Sequence, residues 1–230
     1  MRKVFEIVLI STLVSGVTFA QREPVRKPAV SKAQSVVPIK EIVDKGMVSG
    51  RTYTNEKLNF SITFPDTWLV PDSDFEDYMK KQGFDLSLKA PDSLGTAERA
   101  RINRSLKRVE ILVTAYRSMP GSSDNAIMRV SAEDLKTNPQ IKDAVDYIDA
   151  MRAMYKTMRL SPDFKYSDTQ AEKLGEHQFA FIDVTSDAGK KRLYATVRGN
   201  FALLFTLSYT SADDLQAMRQ ILTDGNFKLK

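Results

Sequence analysis

The residues best suited to binding chemistry lie in the segment 190–198. If this segment is a β-strand, Lys190, Arg192, Tyr194 and Arg198 face the same side, because alternate residues of a strand share a face. Cations beside an aromatic ring can hold an acidic group through paired hydrogen bonds and ring stacking. The segment therefore predicts a surface for an acidic partner or a lipid head group. The alternative interpretation is an ordinary solvated strand face.

A second basic group lies in the segment RARINRSLKRVE. Arg101, Arg104 and Arg108 share a face if this segment is helical, because residues three and four apart are neighbours on a helix surface. We interpret these arginines as a second candidate binding surface. Mixed charge is also typical of an exposed helix without a specific partner, and that interpretation stays open.

Few of the residue types needed for catalysis are present. His177 is the only histidine, and the chain has no cysteine and no G-x-S-x-G motif. These features exclude a multi-histidine zinc site, a thiolate metal site, a thiol nucleophile and a disulfide. We therefore predict no catalytic residue, no metal and no cofactor. A small hydrolase that combines His177 with Asp183 is an alternative, although a catalytic base also needs a nucleophile and an orienting group.

The positive charge of the chain lies mainly outside its folded part. The net charge is +5, but residues 51–230 hold 26 cations and 25 anions, so the surplus lies before residue 51. Nucleic-acid binding requires a basic footprint on a folded surface. We therefore expect no nucleic-acid partner.

The first 20 residues have the pattern of a signal peptide. Arg2 and Lys3 precede an apolar run of eleven residues, 7–17, and Thr18-Phe19-Ala20 offers a cleavage site before Gln21. A membrane-spanning helix needs about 20 apolar residues, so the run is too short to span. We predict an exported protein, periplasmic or secreted, that is not an integral membrane protein after cleavage. A retained interfacial helix is the alternative.

The next segment, 21–48, is predicted to be a flexible arm. It contains three prolines, at positions 24, 28 and 38, and few large apolar residues before Val36. Proline removes a backbone donor and biases the preceding residue towards extended conformations. We expect a single folded domain to follow, over residues 49–230.

The first strand of this domain is predicted in the stretch YTNEKLNFSITFPDTWLVP, residues 53–71. Its apolar residues alternate with polar ones, which is the pattern of a strand buried on one face. Trp68 follows a turn at Pro65, and a lone tryptophan beside phenylalanines is typical of a core. Together with the last strand, this stretch supplies the predicted core residues, which are Phe60, Ile62, Phe64, Trp68, Phe201, Leu203, Phe205 and Leu207.

Further strands are predicted from alternation and from short connections. Residues 84–88 alternate, and residues 108–116 are apolar on both sides, which suits a central strand. Three runs near the C-terminus, 178–186, 190–198 and 201–209, are joined by short glycine-containing turns. Connections that short join antiparallel neighbours, so the three runs predict a meander.

Helices are predicted between these strands. Capping patterns that begin at Ser73, Ser131 and Ser211 indicate three helix starts. A longer helix is predicted over 139–158, with an apolar stripe at helical spacing formed by Ile141, Val145, Ile148, Met151, Tyr155 and Met158. We expect its methionines to pack against the sheet. A lipid or amphiphile carrier, with a cavity between this helix and the sheet, is a further alternative.

Two terminal motifs resemble a known family. YTNEKLNFSITFPDTW and RGNFALLFTLSYTSADDLQAMRQILTDGNF are similar to the start and the end of PsbP-like domains. The resemblance covers residues 50–230 and is strongest at the two ends. It implies an α+β fold in which helices sandwich an antiparallel β-sheet, and a role in binding other proteins. No metal-binding or photosystem-contact residues of the family are matched.

These observations together predict an exported, non-enzymatic binding module of the bacterial envelope. Its expected partner is an envelope protein or an acidic surface. The hydrolase and the carrier described above are the alternatives, and the sequence leaves the oligomeric state open.

Overall fold

The computed structural model describes residues 43–82, 90, 95–122, 124–158, 160–187 and 189–228. The predicted signal peptide, most of the predicted arm and the predicted strand at 84–88 lie outside these residues. The described chain begins at Val43, which is buried, and its first strand begins at Met47. Among the described residues, no helix has the length and apolar character needed to span a membrane.

A seven-stranded antiparallel sheet forms the centre of the fold. Its strands are β4 (Val109–Tyr116), β5 (Ile127–Asp134), β6 (Lys165–Tyr166), β7 (Gln170–Leu174), β8 (His177–Ser186), β9 (Gly189–Arg198) and β10 (Phe201–Tyr209). The order across the sheet is β4-β5-β10-β9-β8-β6, and β7 pairs with another part of β8. The predicted meander is thereby confirmed as β8, β9 and β10.

A smaller sheet of four strands joins the two ends of the described chain. It contains β1 (Met47–Ser49), β2 (Thr52–Asn55), β3 (Phe60–Thr63) and β11 (Asn226–Phe227), in that order. The rings of Phe60 and Phe227 stack with their centroids 5.9 Å apart. This stacking places the C-terminal residues beside the first strands of the domain.

Four helices are described: α1 (Ser73–Lys81), α2 (Thr96–Leu106), α3 (Ala144–Thr157) and α4 (Ala212–Thr223). Asp143 caps α3 by accepting hydrogen bonds from two backbone N–H groups, and Ser211 and Asp214 form a capping box at α4. Such caps satisfy backbone donors that the first helical turn leaves unpaired. The predicted helix start at Ser211 is therefore confirmed.

Both faces of the larger sheet are covered, so the predicted α+β arrangement of a sheet between helices is confirmed. On one face, α4 and the smaller sheet pack against the phenylalanines and leucines of β10. On the other face, α3 packs through Tyr147, Ile148 and Met151. The eight predicted core residues are at most 5% exposed.

Three details differ from the sequence-based predictions. Ser131 lies inside β5 and starts no helix, because this strand is buried on both faces and its pattern has no alternation. The long helix begins at Ala144 and not near 139, and Val145 is 44% exposed. The strand at 109–116 lies at one end of the sheet and not at its centre. This strand is apolar on both of its sides because other elements pack on both faces of the sheet.

Candidate functional site

The side chain of Arg192 lies at the centre of the predicted binding face. Its Nε and Nη2 atoms donate to the two carboxylate oxygens of Asp183 at 2.7 and 2.8 Å. The two residues are direct partners across the β8–β9 pair. The guanidinium also lies 4.4 Å from the ring centroid of Phe181. The paired hydrogen bonds and the ring stacking predicted for an acidic partner are thus made with residues of the same chain.

Tyr194 is buried beneath this pair. Its hydroxyl donates to Glu172 on β7, and Arg219 of α4 donates to the other oxygen of Glu172. Burial, and then the hydrogen bond to Glu172, raises the pKa of Tyr194 to about 12. The hydrogen bond to Asp183 raises the pKa of Arg192 further above its ordinary value. Two carboxylates and two guanidiniums therefore form an internal network that joins β7, β8, β9 and α4.

Arg198 lies apart from this network, at the other end of β9. Its Nη1 atom donates to the backbone oxygen of Lys228 at 2.7 Å. Lys190 and Arg198 are eight residues apart on one strand, which corresponds to about 26 Å. The four residues predicted on this face therefore do not form one compact site.

The exposed part of this face is a row of side chains that crosses β6, β8, β9 and β10. We call it the basic row. Direct cross-strand pairing aligns Lys165 of β6, Thr185 of β8, Lys190 of β9 and Tyr209 of β10. The two lysines and Thr185 are exposed, and Tyr209 is half-buried. With strands about 4.8 Å apart, the two lysines stand about 10 Å from each other. Within the described ranges neither lysine forms a salt bridge.

The second predicted group does not form one helical face. Helix α2 ends at Leu106, so Arg108 lies on the following turn, whereas Arg104 is exposed in the last helical turn. Arg108 donates to the hydroxyl of Thr137 at 2.8 Å and lies 3.5 Å from the carboxylate of Glu133. The backbone of Arg101 belongs to α2, and its side chain lies outside the description. Arg104 and Arg108 therefore point to different surroundings, and a partner-binding role of this group stays a prediction.

The histidine and the carboxylate of the hydrolase alternative lie far apart. His177 and Asp183 occupy the two ends of a seven-residue stretch of β8, which spans about 20 Å. His177 bonds to the hydroxyl of Thr196 at 2.9 Å and stacks on Phe227. Burial, and then the charge of Arg198, lowers the pKa of His177 to about 4. Asp183 is paired with Arg192, so the two groups do not form a common site.

A buried carboxylate that the sequence did not single out lies under α3. Glu133 on β5 is 1% exposed, and the hydroxyl of Tyr147 donates to its Oε2 atom at 2.8 Å. Burial raises the pKa of Glu133 to about 7, although the hydrogen bond from Tyr147 and the charge of Arg108 lower it in part.

Some contacts of the network could be predicted from the sequence, and others could not. The pairing of Asp183 with Arg192 follows from the register of the predicted hairpin, and opposite charges across strands are a recognised pattern. Glu172 and Arg219 are 47 residues apart in the chain. No local pattern connects them, and the same holds for Lys165 on its two-residue strand.

Two further features bear on a ligand. Met151 and Met154 of α3 are at most 7% exposed and pack in the apolar layer against the sheet. Among the described residues, no three side chains that commonly bind metals come together. A cavity of about 340 Å³ lies elsewhere, beside the turn that follows β1, where it is lined by Gly50, Arg51, Trp68, Leu69 and Val70.

No family model and no curated protein matches this chain. Several solved structures are similar to it in fold. PsbP from the cyanobacterium Synechocystis is 13% identical, with a TM-score of 0.42 over 80% of this chain and 98% of that protein. LpqN from Mycobacterium tuberculosis, described as involved in cell envelope biogenesis, is 13% identical, with a TM-score of 0.37 over 73% of this chain and 82% of LpqN.

A third similar structure comes from Bacteroides thetaiotaomicron, at 13% identity and a TM-score of 0.39. The match covers 80% of this chain but only 50% of the Bacteroides protein. A PsbP protein is thus among the matched structures. The likeness concerns the fold alone.

Proposed function

We propose that this protein is an exported, non-enzymatic binding module that recognises an acidic surface on an envelope protein. The observation that carries the proposal is the basic row. It presents two exposed lysines, a threonine hydroxyl and a tyrosine in one row across four strands of the sheet. Ammonium groups and hydroxyls at this spacing suit a pair of carboxylates or phosphates.

The neighbouring network supports this assignment. Arg192 pairs with Asp183, Arg219 pairs with Glu172, and the hydroxyl of Tyr194 connects the two pairs, so the network links β7, β8, β9 and α4. A rigid support reduces the conformational entropy that a binding surface loses when it meets its partner. The network thus positions Lys190 and Thr185, while the contact with the partner is made by the basic row.

Export is supported by the sequence of residues 1–20, with two cations, an apolar run and small residues before Gln21. A protein partner in the envelope is therefore the natural occupant of the surface. The absence of catalytic activity is part of the same proposal, since the distance between His177 and Asp183 leaves no pairing between them.

The proposal is tested by crosslinking in cells, followed by capture of the tagged full-length protein. Lys165→Glu combined with Lys190→Glu should reduce the captured partner at least tenfold, because both ammonium contacts become repulsive. Lys173→Glu is the matched control, since Lys173 is 59% exposed on neighbouring β7. Equal capture by all three proteins, at equal thermal stability, would show that the basic row is not the binding surface.

A further inference from the structure

A second surface, separate from the basic row, lies at the outer edge of the smaller sheet. Among the described residues, β1 is the terminal strand of that sheet, and all three of its residues are exposed. Met47 is 67% exposed and Val48 is 41% exposed. Large apolar side chains on an open sheet edge are a recognised liability, because such an edge can pair with another chain.

The register shows which backbone groups this edge offers. Ser49 pairs with Thr52 across a two-residue turn that begins at Gly50, whose φ is +58°. In such a hairpin the flanking pair exchanges hydrogen bonds, and the next pair along does not. Val48, which is opposite Tyr53, therefore directs its N–H and C=O groups away from β2. An extended segment could hydrogen-bond to both.

The cavity of about 340 Å³ opens directly beside this strand, because Gly50 follows Ser49 and lines its mouth. A Cβ atom placed on Gly50 would meet no atom within 4 Å, so the space there is open. The wall is formed by Leu69 and Val70, which are half-buried, and by buried Trp68. Ligand pockets usually measure roughly 300–1,000 Å³, so this cavity lies at the small end of that range.

One cation is fixed at this cavity. Arg51 donates from Nη1 to the backbone oxygens of Pro65, at 3.0 Å, and of Trp68, which holds the guanidinium in place. Within the described ranges its carboxylate partner is Asp66, at 3.2 Å, and the side chain of Asp66 is 98% exposed. Exposed ion pairs are weak because water screens them. The side chain of Arg51, which is 39% exposed, is therefore available to exchange Asp66 for a carboxylate on an incoming ligand.

We propose that β1 and the adjacent cavity dock an extended, apolar segment of a partner protein that carries a carboxylate. The segment pairs with the backbone of Val48, packs beside Met47 and Val48, and places its carboxylate against Arg51. This mode is β-strand addition, in which the main chain supplies affinity and the pocket supplies specificity. The site is independent of the basic row, so either can fail without the other.

The test uses a defined probe, the peptide acetyl-Thr-Val-Thr-Val-Asp-amide, titrated into the isotopically labelled protein and followed by amide chemical shifts. We expect shifts at residues 47–51 and 68–70, and at least tenfold weaker binding when the aspartate of the peptide is replaced by lysine. Arg51→Gln should bring the two peptides to similar affinities. Equal binding of both peptides to the unmodified protein, or shifts centred elsewhere, would overturn the proposal.

A pair of variants tests the strand pairing itself. Val48→Pro removes the outward N–H without removing a β1–β2 hydrogen bond, so the fold should persist, and peptide binding should fall at least tenfold. Val48→Thr keeps the N–H and should bind normally. Equal peptide affinities of two folded variants would contradict strand addition.

The identity of the segment that pairs with β1 is tested in cells with a photo-reactive residue at position 48. Position 145 is the control, because Val145 and Val48 are 44% and 41% exposed. The proposal expects a crosslink from position 48 alone, to an apolar, acid-bearing segment of another protein. A crosslink to residues 21–42 of the same chain would instead identify the arm as the occupant and overturn the proposal.

Discussion

At the scale of single residues, the pair formed by Arg192 and Asp183 explains why a row of cations on a strand is a poor guide to a binding surface. The side chain of Arg192 is only 17% exposed, and the bidentate contact occupies both oxygens of Asp183. Bidentate guanidinium–carboxylate pairs are among the stronger polar contacts in proteins. Arg192 therefore stabilises the sheet, and the contact that we propose with a partner depends on the exposed Lys190.

A double-mutant cycle measures this contribution. We expect Arg192→Met and Asp183→Asn to show a coupling free energy of about 1–3 kcal/mol in urea unfolding, because the pair is partly desolvated and doubly hydrogen-bonded. The control cycle uses Lys173 and Glu176, whose side chains are 59% and 100% exposed, and should give a clearly smaller coupling because water screens exposed pairs. Equal coupling in the two cycles would contradict the structural role of Arg192.

Glu133 and His177 predict a pH dependence of opposite sign. The pKa of Glu133 is raised from 4.5 to about 7, so between these values the folded state binds more protons and stability falls as pH rises. The pKa of His177 is lowered from 6.5 to about 4, so between those values the unfolded state binds more protons and stability rises with pH.

Single variants separate the two groups. Glu133→Gln should remove a loss of stability on the order of 3 kcal/mol between pH 4.5 and 7, while His177→Gln should make the fall of stability with pH steeper below pH 6.5. Urea unfolding from pH 4.5 to 8 measures both. A Glu133→Gln protein that keeps the pH dependence of the unmodified protein would contradict the assignment of Glu133.

At the scale of elements, the C-terminal strands followed from the sequence, and the other partners of Arg192 did not. Short glycine turns and alternating residues fixed the pairing of β8, β9 and β10, because turn length determines register. Glu172 and Arg219 meet only because α4 returns across β7. Contacts of that kind depend on tertiary packing, which no local period encodes.

Two sequence-based predictions of helix starts were wrong. Ser131 begins a pattern that resembles a capping box, but it lies in a strand buried on both faces, where sequence alternation disappears. The start of α3 was placed too early because Ile141 fits the helical stripe, although the chain becomes helical only after the cap at Asp143. At Ser131, tertiary burial outweighed a local signal, whereas at α3 the cap at Asp143 outweighed the apolar spacing.

A substitution in the stretch before α1 tests whether this stretch belongs to the core. Trp68 is 4% exposed and packs in the same apolar layer as Phe60 and Phe64. Trp68→Ala should lower the free energy of unfolding by about 3–5 kcal/mol, because it removes a buried ring and leaves a cavity. Trp68→Phe should cost clearly less. Unchanged thermal stability of the alanine variant would exclude Trp68 from the core.

At the scale of the whole molecule, the nearly equal numbers of cations and anions in residues 51–230 limit long-range attraction. Recognition of an acidic partner then depends on the few charges at the contact and not on the overall field. Binding at the basic row should therefore weaken strongly as salt rises, because exposed charges are screened within about 10 Å at 0.1 M salt.

The most direct measurement of the central claim is a titration of the isotopically labelled protein with a short polyglutamate peptide, followed by amide chemical shifts. We predict saturable shifts centred on Lys165, Thr185, Lys190 and Tyr209, which vanish in the protein carrying Lys165→Glu and Lys190→Glu and persist in Lys173→Glu. Shifts that scatter over the surface, or that survive the double charge reversal, would contradict the account.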